Sequence, residues 1–176
     1  DVKDDKLNDV IADVLGDAYE KKCKDLCVKA SNGCIAWVHY WMDEADTFQW
    51  AVLPANEIIP IWDNRINTKL EGVLRVYADI NDEGENITVY EYWNDKEVQA
   101  FSLRTGDVIE TLSPYAAFIM IDPSGGMMDV DTIPHAMGQV PFIPFANNAA
   151  HTPDLKRIKS LIDVYDKTYS GFLNDL

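Results

Sequence analysis

The first thirty residues carry apolar side chains at intervals of three and four, the spacing of one face of an α-helix. This pattern predicts a helix over residues 4–30, with Asp4 or Asp5 as its N-cap. Gly16 is expected to bend or divide the helix, and Gly33 is the expected left-handed residue at its end. The apolar positions are Leu7, Val10, Ile11, Val14, Leu15, Ala18, Tyr19, Cys23, Leu26 and Ala30.

From residue 34 onward the apolar positions alternate, and β-branched and aromatic residues become frequent. Alternation with a period of two predicts β-strands that each turn one face towards a core. The first two strands are expected to form a hairpin and three later ones a meander, while Pro60 limits its strand to an edge or a bulge. The predicted strands are 34–41, 47–53, 57–63, 70–80, 86–93 and 97–104, with weaker ones at 107–112 and 116–122.

Two irregular segments follow the strands. The stretch "DPSGGMMDVDTIP" (122–134) is expected to be an exposed loop. In "HAMGQVPFIPFANN" (135–148), Pro141 and Pro144 remove two backbone donors and stiffen the chain, which predicts an edge or an extended connector. The arm side chains expected to pack on the β body are Val140, Phe142 and Phe145.

The chain ends in a second helical pattern. Thr152 precedes Pro153, so Thr152 is the expected N-cap and Pro153 the expected first helical residue. The apolar positions after them are separated by alternating steps of three and four, which is the seam of a coiled coil and suits packing against another helix. These positions are Leu155, Ile158, Ile162, Tyr165, Tyr169 and Phe172.

Together these elements indicate an α+β chain. It has an N-terminal helix, a mainly antiparallel β body, a proline-rich arm and a C-terminal amphipathic helix. With 176 residues and 47% hydrophobic residues, the chain is long and apolar enough to bury a core. We divide it into an α+β body at 1–150 and the start of the C-terminal helix at 151–176.

The charge of the chain excludes some classes of partner. Thirty acidic and fifteen basic residues give a formal net charge of −15, which opposes tight binding to a phosphate backbone. The one modest basic cluster is Lys156, Arg157 and Lys159. No apolar run approaches the roughly 20 residues of a membrane span, so no membrane partner is expected.

The sequence assigns no catalytic, cofactor-binding or metal-binding residue. Cys23, Cys27 and Cys34 are odd in number, which favours reduced thiols over a disulfide framework, and the scattered histidines leave a zinc site without a fourth ligand. The acidic residues lie mostly in predicted turns, and Glu91 is expected to point outward from its strand. The candidate carboxylates are Asp43, Glu44, Asp82, Glu83, Glu91, Asp122, Asp129 and Asp131.

The tryptophans leave one alternative open. Aromatic residues on strands are more often part of a core, but they can also form a stacking platform for sugars. A β-rich carbohydrate-active enzyme or glycan-binding domain that uses Glu91 and Trp93 is therefore the alternative function. The five tryptophans are Trp37, Trp41, Trp50, Trp62 and Trp93.

Four segments, in order, resemble the portal proteins of tailed bacteriophages, in particular the family found in long-tailed phages of Gram-positive bacteria. They are "KASNGCIAWVHYWMDE" (29–44), "LPANEIIPIWDN" (53–64), "HAMGQVPFIPFANN" (135–148) and "DLKRIKSLIDVYDKTYSGFLND" (154–175). The resemblance spans nearly the whole chain. The chain departs from the family pattern at the turn "DEAD" and at Gly171, which interrupts the last helical segment.

The resemblance implies a structural role in the virion. It identifies residues 1–150 as a wing-like domain and 151–176 as the start of a stem-side helix. Because the chain begins on Asp1 and ends within a helical pattern, we expect it to be a piece of a longer protein, without the family's second long helix and crown. In this reading no cofactor is needed and the protein is not an enzyme.

Portal proteins of this family form a dodecameric ring at one capsid vertex. The implied partners are other portal subunits, scaffold and capsid proteins, the terminase and the head-tail connector, and DNA passes the channel without sequence-specific binding. Assembly is implied in the cytoplasm of the bacterial host, from a phage or prophage. The candidate residues of the arm and assembly helix are Pro141, Phe142, Pro144, Phe145, Leu155, Ile158, Ile162, Tyr165 and Tyr169.

Overall fold

The computed structural model describes residues 5–43, 45–63 and 69–174, without the side chains of Arg157 and Asn174. Asp4 and Glu44 lie outside these residues. The helices are α1 Asp5–Leu15, α2 Tyr19–Gly33 and α3 Lys159–Asn174. The strands are β1 Ile35–Met42, β2 Phe48–Pro54, β3 Ile58–Trp62, β4 Leu70–Ile80, β5 Asn86–Trp93, β6 Glu97–Arg104, β7 Ser113–Pro114, β8 Phe118–Ile121, β9 Met127–Val130, β10 Thr132–Pro134 and β11 Phe142–Ala146.

The fold is α+β, as predicted, and its strands lie in antiparallel sheets. The smaller of the two main sheets has three strands in the order β11-β1-β2. The larger sheet runs β10-β6-β5-β4-β3, with β7 paired to β6. The β1–β2 hairpin and the meander of β4, β5 and β6 are confirmed. Pro60 lies on β3, the edge strand of the larger sheet, where a missing N–H is tolerated.

The single helix predicted over 4–30 is two helices. The first ends before Gly16, which adopts φ +73° and separates α1 from α2. A left-handed residue at this point lets the chain turn at little steric cost because glycine has no Cβ. At the end of α2, Cys34 rather than Gly33 takes the left-handed conformation, with φ 71°, so the prediction for Gly33 is wrong.

Two predictions for residues 107–134 are also wrong. Residues 107–112 form no strand, and Ile109–Thr111 is a 3-10 turn. The expected loop at 122–134 contains β9 and β10, and β9 pairs with β8 as a hairpin. Asp122 builds the turn of this hairpin, because its Oδ1 accepts from the backbone N–H groups of Ser124 and Gly126 at 2.7 and 2.9 Å. The glycine-rich segment is therefore a hairpin turn.

Helix α2 packs on the smaller sheet and covers its β2 edge. Lys22 Nζ donates to the Trp50 carbonyl oxygen at 2.7 Å, and Lys29 Nζ donates to the Val52 carbonyl oxygen at 2.9 Å. These two carbonyls are alternate residues of an edge strand, so both lysines satisfy acceptors that lack a neighbouring strand. The edge of β2 is therefore closed to pairing by another chain.

The core lies where the two larger sheets meet, and it includes residues from both sheets and from the segment before β11. On β5 the buried residues alternate, so that Ile87, Val89, Glu91 and Trp93 all face inward. The prediction that Glu91 points outward is therefore wrong. The core residues are Trp37, Leu53, Ile58, Val73, Trp93, Val98, Val140 and Phe142.

Candidate assembly surfaces

The proline-rich arm becomes the outer strand of the smaller sheet. Strand β11 pairs antiparallel with β1, and it is followed by a bond from Asn147 N–H to the Cys34 carbonyl oxygen at 2.9 Å. Because bonded pairs alternate along an antiparallel ladder, Pro144 falls at a position that faces away from β1. Its missing N–H therefore costs the sheet no hydrogen bond, and it removes a donor from the open edge. The prediction of an edge is confirmed.

The two prolines and two phenylalanines of the arm have different surroundings. Pro141 is fully buried and Phe142 is 4% exposed, whereas Pro144 is exposed and Phe145 is 42% exposed. Successive residues of a strand point to opposite faces, so Phe145 shares its face with Ile143, which is 45% exposed. Phe145 is therefore less covered than the predicted packing on the β body implies, whereas Phe142, on the opposite face of the strand, reaches the core.

His39 fixes the arm to β1. Its Nδ1 donates to the Pro141 carbonyl oxygen at 3.0 Å, and its ring lies between Trp41 and Phe142 at centroid distances of 5.2 and 4.5 Å. Burial lowers the pKa of His39 to about 4, and the positive charge of Arg75 acts in the same direction, while the bond to Pro141 opposes the shift. The imidazole is therefore neutral at pH 7 and acts as a packed donor.

We expect His39 to make the protein less stable as the pH falls from about 6.5 to about 4. In that window the unfolded chain binds a proton that the folded His39 does not, so the free energy of unfolding falls, by about 3 kcal/mol from this residue. Urea unfolding at several pH values measures the change. His39→Asn keeps a donor but cannot titrate, and identical pH profiles for the two proteins would contradict the assignment.

The asparagine pair after the arm builds a turn. Asn148 Oδ1 accepts from the backbone N–H groups of Ala150 and Thr152 at 3.1 and 3.2 Å, and Asn147 Nδ2 donates to Asp154 Oδ1 at 2.8 Å. The next element is a 3-10 turn, Asp154–Arg157, whose N-cap is Pro153 without a side-chain bond. Thr152 is therefore not the N-cap that we predicted, because its polar groups are used inside the asparagine turn.

The predicted C-terminal helix is present but begins at Lys159, so Leu155 and Ile158 precede it, and the predicted seam is uncovered. Every described side chain of α3 is exposed, and the helix continues through Gly171. Tyr165 and Tyr169 stack on each other, with ring centroids 6.0 Å apart and planes inclined by 7°. The exposed fractions along the seam are 55% for Leu155, 46% for Ile158, 42% for Ile162, 67% for Tyr165 and 53% for Tyr169.

Two further apolar surfaces were missed by reasoning from the sequence. Helix α1 has no buried residue, although Val10, Ile11 and Val14 form an apolar stripe. The β8–β9 hairpin exposes Ile119 and Met127 by 61 and 79%. The signal for the hairpin was the pair of apolar tetrapeptides "FIMI" and "MMDV" on either side of a glycine turn. The candidate arm and helix are thus part of a wider set of uncovered apolar elements.

A cavity of about 620 Å³ lies where the β1–β2 hairpin meets the larger sheet. Aromatic rings line much of it, and Asp43, one of the carboxylates that line it, is already engaged. Asp43 accepts from the Thr47 and Ala45 backbone N–H groups and from Gln49, and the bond from Thr47 is the main reason that its pKa is lowered. The ring-bearing and cationic lining residues include His39, Trp41, Arg75, Trp93 and His135.

Glu91 is held by three donors, two of which, Arg75 and Trp93, line this cavity. It is 5% exposed, and it accepts from Tyr77 Oη at 2.7 Å, Trp93 Nε1 at 3.1 Å and Arg75 Nη1 at 3.5 Å. Arg75 also bonds Glu57, at 3.5 Å. Burial, and after it the negative charge of Glu91, raises the pKa of the Tyr77 hydroxyl. This arrangement is that of a structural ion network, and it leaves no open carboxylate beside Trp93.

Other chemistry is equally unsupported in the part of the chain that the structure describes. Among those residues, no group of three or more His, Cys, Asp or Glu could hold a metal ion. Cys23, Cys27 and Cys34 are free thiols. In the described ranges there is also no helix with the length and apolar character needed to cross a membrane. What the geometry offers is a set of surfaces for contact.

Comparison with known proteins gives a match over the full chain. The family model for phage portal proteins, described as SPP1 Gp6-like, matches residues 1–176. A portal protein of Clostridium phage phiCD119 is 34% identical over 184 aligned positions, which cover 97% of this chain and 38% of that protein. A portal protein of Bacillus phage SPP1 is 27% identical, over 96% of this chain and 32% of that protein. The chain therefore spans less than two-fifths of the length of these curated relatives.

Proposed function

Because the chain belongs to the SPP1 Gp6-like family of phage portal proteins, we propose that it is part of a subunit of the ring at the capsid vertex. The observation that carries this proposal is the family match over residues 1–176. The role is structural and not enzymatic. Residues 1–150 form the wing-like domain, and residues 151–176 begin the stem-side helix.

The exposed apolar elements support a role in assembly. Three separate ones, α1, the β8–β9 hairpin and α3, present side chains such as Ile11, Ile121 and Ile162 that are at least 40% exposed. Apolar surface of this kind marks contact sites for other proteins. The partners that we propose are other portal subunits, scaffold and capsid proteins, the terminase and the head-tail connector, in the virion and, during assembly, in the host cytoplasm.

The charge of the chain fits the passage of DNA. A net charge of −15 repels a phosphate backbone, so DNA would pass such a surface without sequence-specific binding. The carbohydrate-active alternative has little support, because its carboxylate, Glu91, is buried in an ion network. Trp93 is 9% exposed and packs in the core, so it offers no open stacking platform.

Electron microscopy of the longest natural protein that contains this chain tests the proposal. We expect closed rings with a central channel, of the dodecameric kind formed by portals. A protein that stays monomeric under all conditions, or whose gene has no phage packaging genes beside it, would overturn the portal assignment.

The 176-residue chain alone should be monomeric or weakly associated at micromolar concentration. The physical reason is that the family's stem and crown contacts are expected to lie outside these residues. Sedimentation velocity measures this directly. A stable dodecamer formed by residues 1–176 at micromolar concentration would contradict the prediction.

A further inference from the structure

Helix α1 carries an apolar stripe that nothing covers in the described structure. Val10 is 57% exposed, Ile11 40% and Val14 42%, and the helix contains no buried residue. An amphipathic surface helix normally buries this face against a neighbour. The stripe therefore calls for a partner surface that is itself apolar and of similar length.

The charges of α1 specify the partner further. The helix contains three aspartates and one lysine, and its last turn contains no basic residue. Asp13 lies in that last turn and Asp17 just beyond it, next to the negative end of the helix dipole, which disfavours anions. A cationic group placed beside this end would relieve both the side-chain repulsion and the dipole.

Helix α3 has the complementary properties. Its apolar seam is exposed, and Lys159 is its first residue, with Lys156 in the 3-10 turn just before it, where the positive end of the dipole disfavours cations. Lys159 pairs with Asp163 at 2.6 Å, but the Lys159 side chain is 71% exposed and can still meet a further anion. An anionic helix end beside this turn would offset the positive end of the α3 dipole, just as a cationic group would offset the negative end of the α1 dipole.

We propose that α1 of one copy of this protein packs antiparallel on α3 of the next copy. In this arrangement Val14 lies near Ile158 and Ile11 near Ile162, while Asp13 meets Lys159. The two helix dipoles then oppose each other, which is also favourable. Pairing α1 with α1 would instead bring two acidic helices together. Within one copy the apolar side chains of both helices are exposed, so the two faces do not cover each other.

The contact joins two different surfaces of the same chain. Head-to-tail contacts of this kind build rings when the rotation between copies closes, and open filaments when it does not. The closure into a ring rests on the proposed portal function, whereas the contact itself rests on the exposed seams and their charges. Helices α1 and α3 are thus the surfaces by which neighbouring subunits would meet, which the proposed function does not specify.

Two variants that each block one surface test the contact. Ile11→Asp places a charge in the α1 stripe, and Ile162→Asp places one in the α3 seam. Both side chains are at least 40% exposed, so the thermal unfolding midpoint should not change. The wild-type chain should associate progressively at concentrations up to about 0.5 mM, and each variant alone should associate at least about tenfold more weakly.

The mixture of the two variants is the decisive measurement. Each variant keeps the surface that the other has lost, so an equimolar mixture should form a heterodimer and stop there. Sedimentation velocity distinguishes this species from a growing chain. Val28→Asp is the matched control, because Val28 is 56% exposed on α2, outside both helices, and this variant should behave as the wild type.

Several outcomes would overturn the contact. Self-association of Ile11→Asp at the wild-type level would show that α1 is not used, and the same result for Ile162→Asp would exclude α3. A monomeric mixture, or a wild-type chain that stays monomeric throughout, would also refute the proposal. Rings of the longer protein seen together with a monomeric mixture would remove this contact but keep the portal function. A heterodimer in the variant mixture, together with a longer protein that forms no rings, would keep this contact but remove the portal function.

Charge reversal gives an independent check on the proposed orientation. Asp13→Lys and Lys159→Asp should each weaken association, roughly threefold for a pair at the surface. The double variant should regain most of the loss, because the same pair is restored with opposite signs. If the double variant is weaker than both single ones, the antiparallel placement of these two ends is wrong.

Discussion

Replacing Phe142 with alanine should lower the free energy of unfolding by about 3–5 kcal/mol. Phe142 is 4% exposed, stacks on His39 at 4.5 Å and meets Trp93 edge-on at 5.7 Å. The substitution removes apolar contacts and leaves a cavity where the arm joins the core, since the surrounding rings belong to two different sheets. Urea unfolding followed by tryptophan fluorescence measures the loss.

Phe145→Ala is the matched control for this prediction. It removes the same side chain from the same strand, but Phe145 is 42% exposed and lies on the opposite face. Its loss should be clearly smaller, roughly 1–2 kcal/mol, because a large part of its side chain stays in contact with water in the folded protein. Equal losses for the two variants would show that Phe145 is covered as fully as Phe142, and would refute its placement on an exposed face of β11.

Glu91→Ala should also be severely destabilising, by about 3–5 kcal/mol. The substitution leaves the buried Trp93 indole N–H and the half-buried Tyr77 hydroxyl without their acceptor, and it removes one of the two carboxylates that neutralise Arg75. A buried donor without an acceptor costs more than the lost hydrogen bond alone, because water does not replace the missing partner. Chemical denaturation of the variant gives the magnitude.

Glu83→Ala is the control for Glu91. Glu83 is 72% exposed and pairs with Arg104 at 3.6 Å, so its removal should change stability by no more than about 0.5 kcal/mol. Glu91→Gln keeps one acceptor oxygen for Tyr77, so its loss of unfolding free energy should lie between those of Glu91→Ala and Glu83→Ala. If Glu91→Ala kept full stability but abolished glycan binding or hydrolysis, Glu91 would be a functional carboxylate and the structural interpretation would fail.

Most strand bounds follow from local sequence, because a half-covered strand must alternate. The strands predicted at 70–80, 86–93 and 97–104 coincide with β4, β5 and β6. The two edge positions of proline were also predictable, since Pro60 and Pro144 cannot donate to a ladder. Gly16 was a local signal too, and it divides the helix as expected.

The errors share one physical cause. Alternation with a period of two shows which residues share a face of a strand, but it does not show which face is covered by another layer of the structure. Glu91 was placed outward and Phe145 inward because the polarity of each residue was used to choose the face, but Glu91 is buried and Phe145 is 42% exposed. Each outcome depends on residues far away in sequence, as with His39 and the Pro141 carbonyl oxygen, which are 102 positions apart.

By itself, the sequence determined the α+β class, the positions of the main strands and the family, because periodicity and short ordered motifs are local properties. Only the tertiary structure decided which arm residues are buried, where the last helix begins, and that α1, the β8–β9 hairpin and α3 remain uncovered. These features depend on which layers meet in three dimensions. In the arm that begins at His135, Pro141 and Phe142 are buried whereas Ile143 and Phe145 are exposed, and only the packing of two sheets distinguishes them.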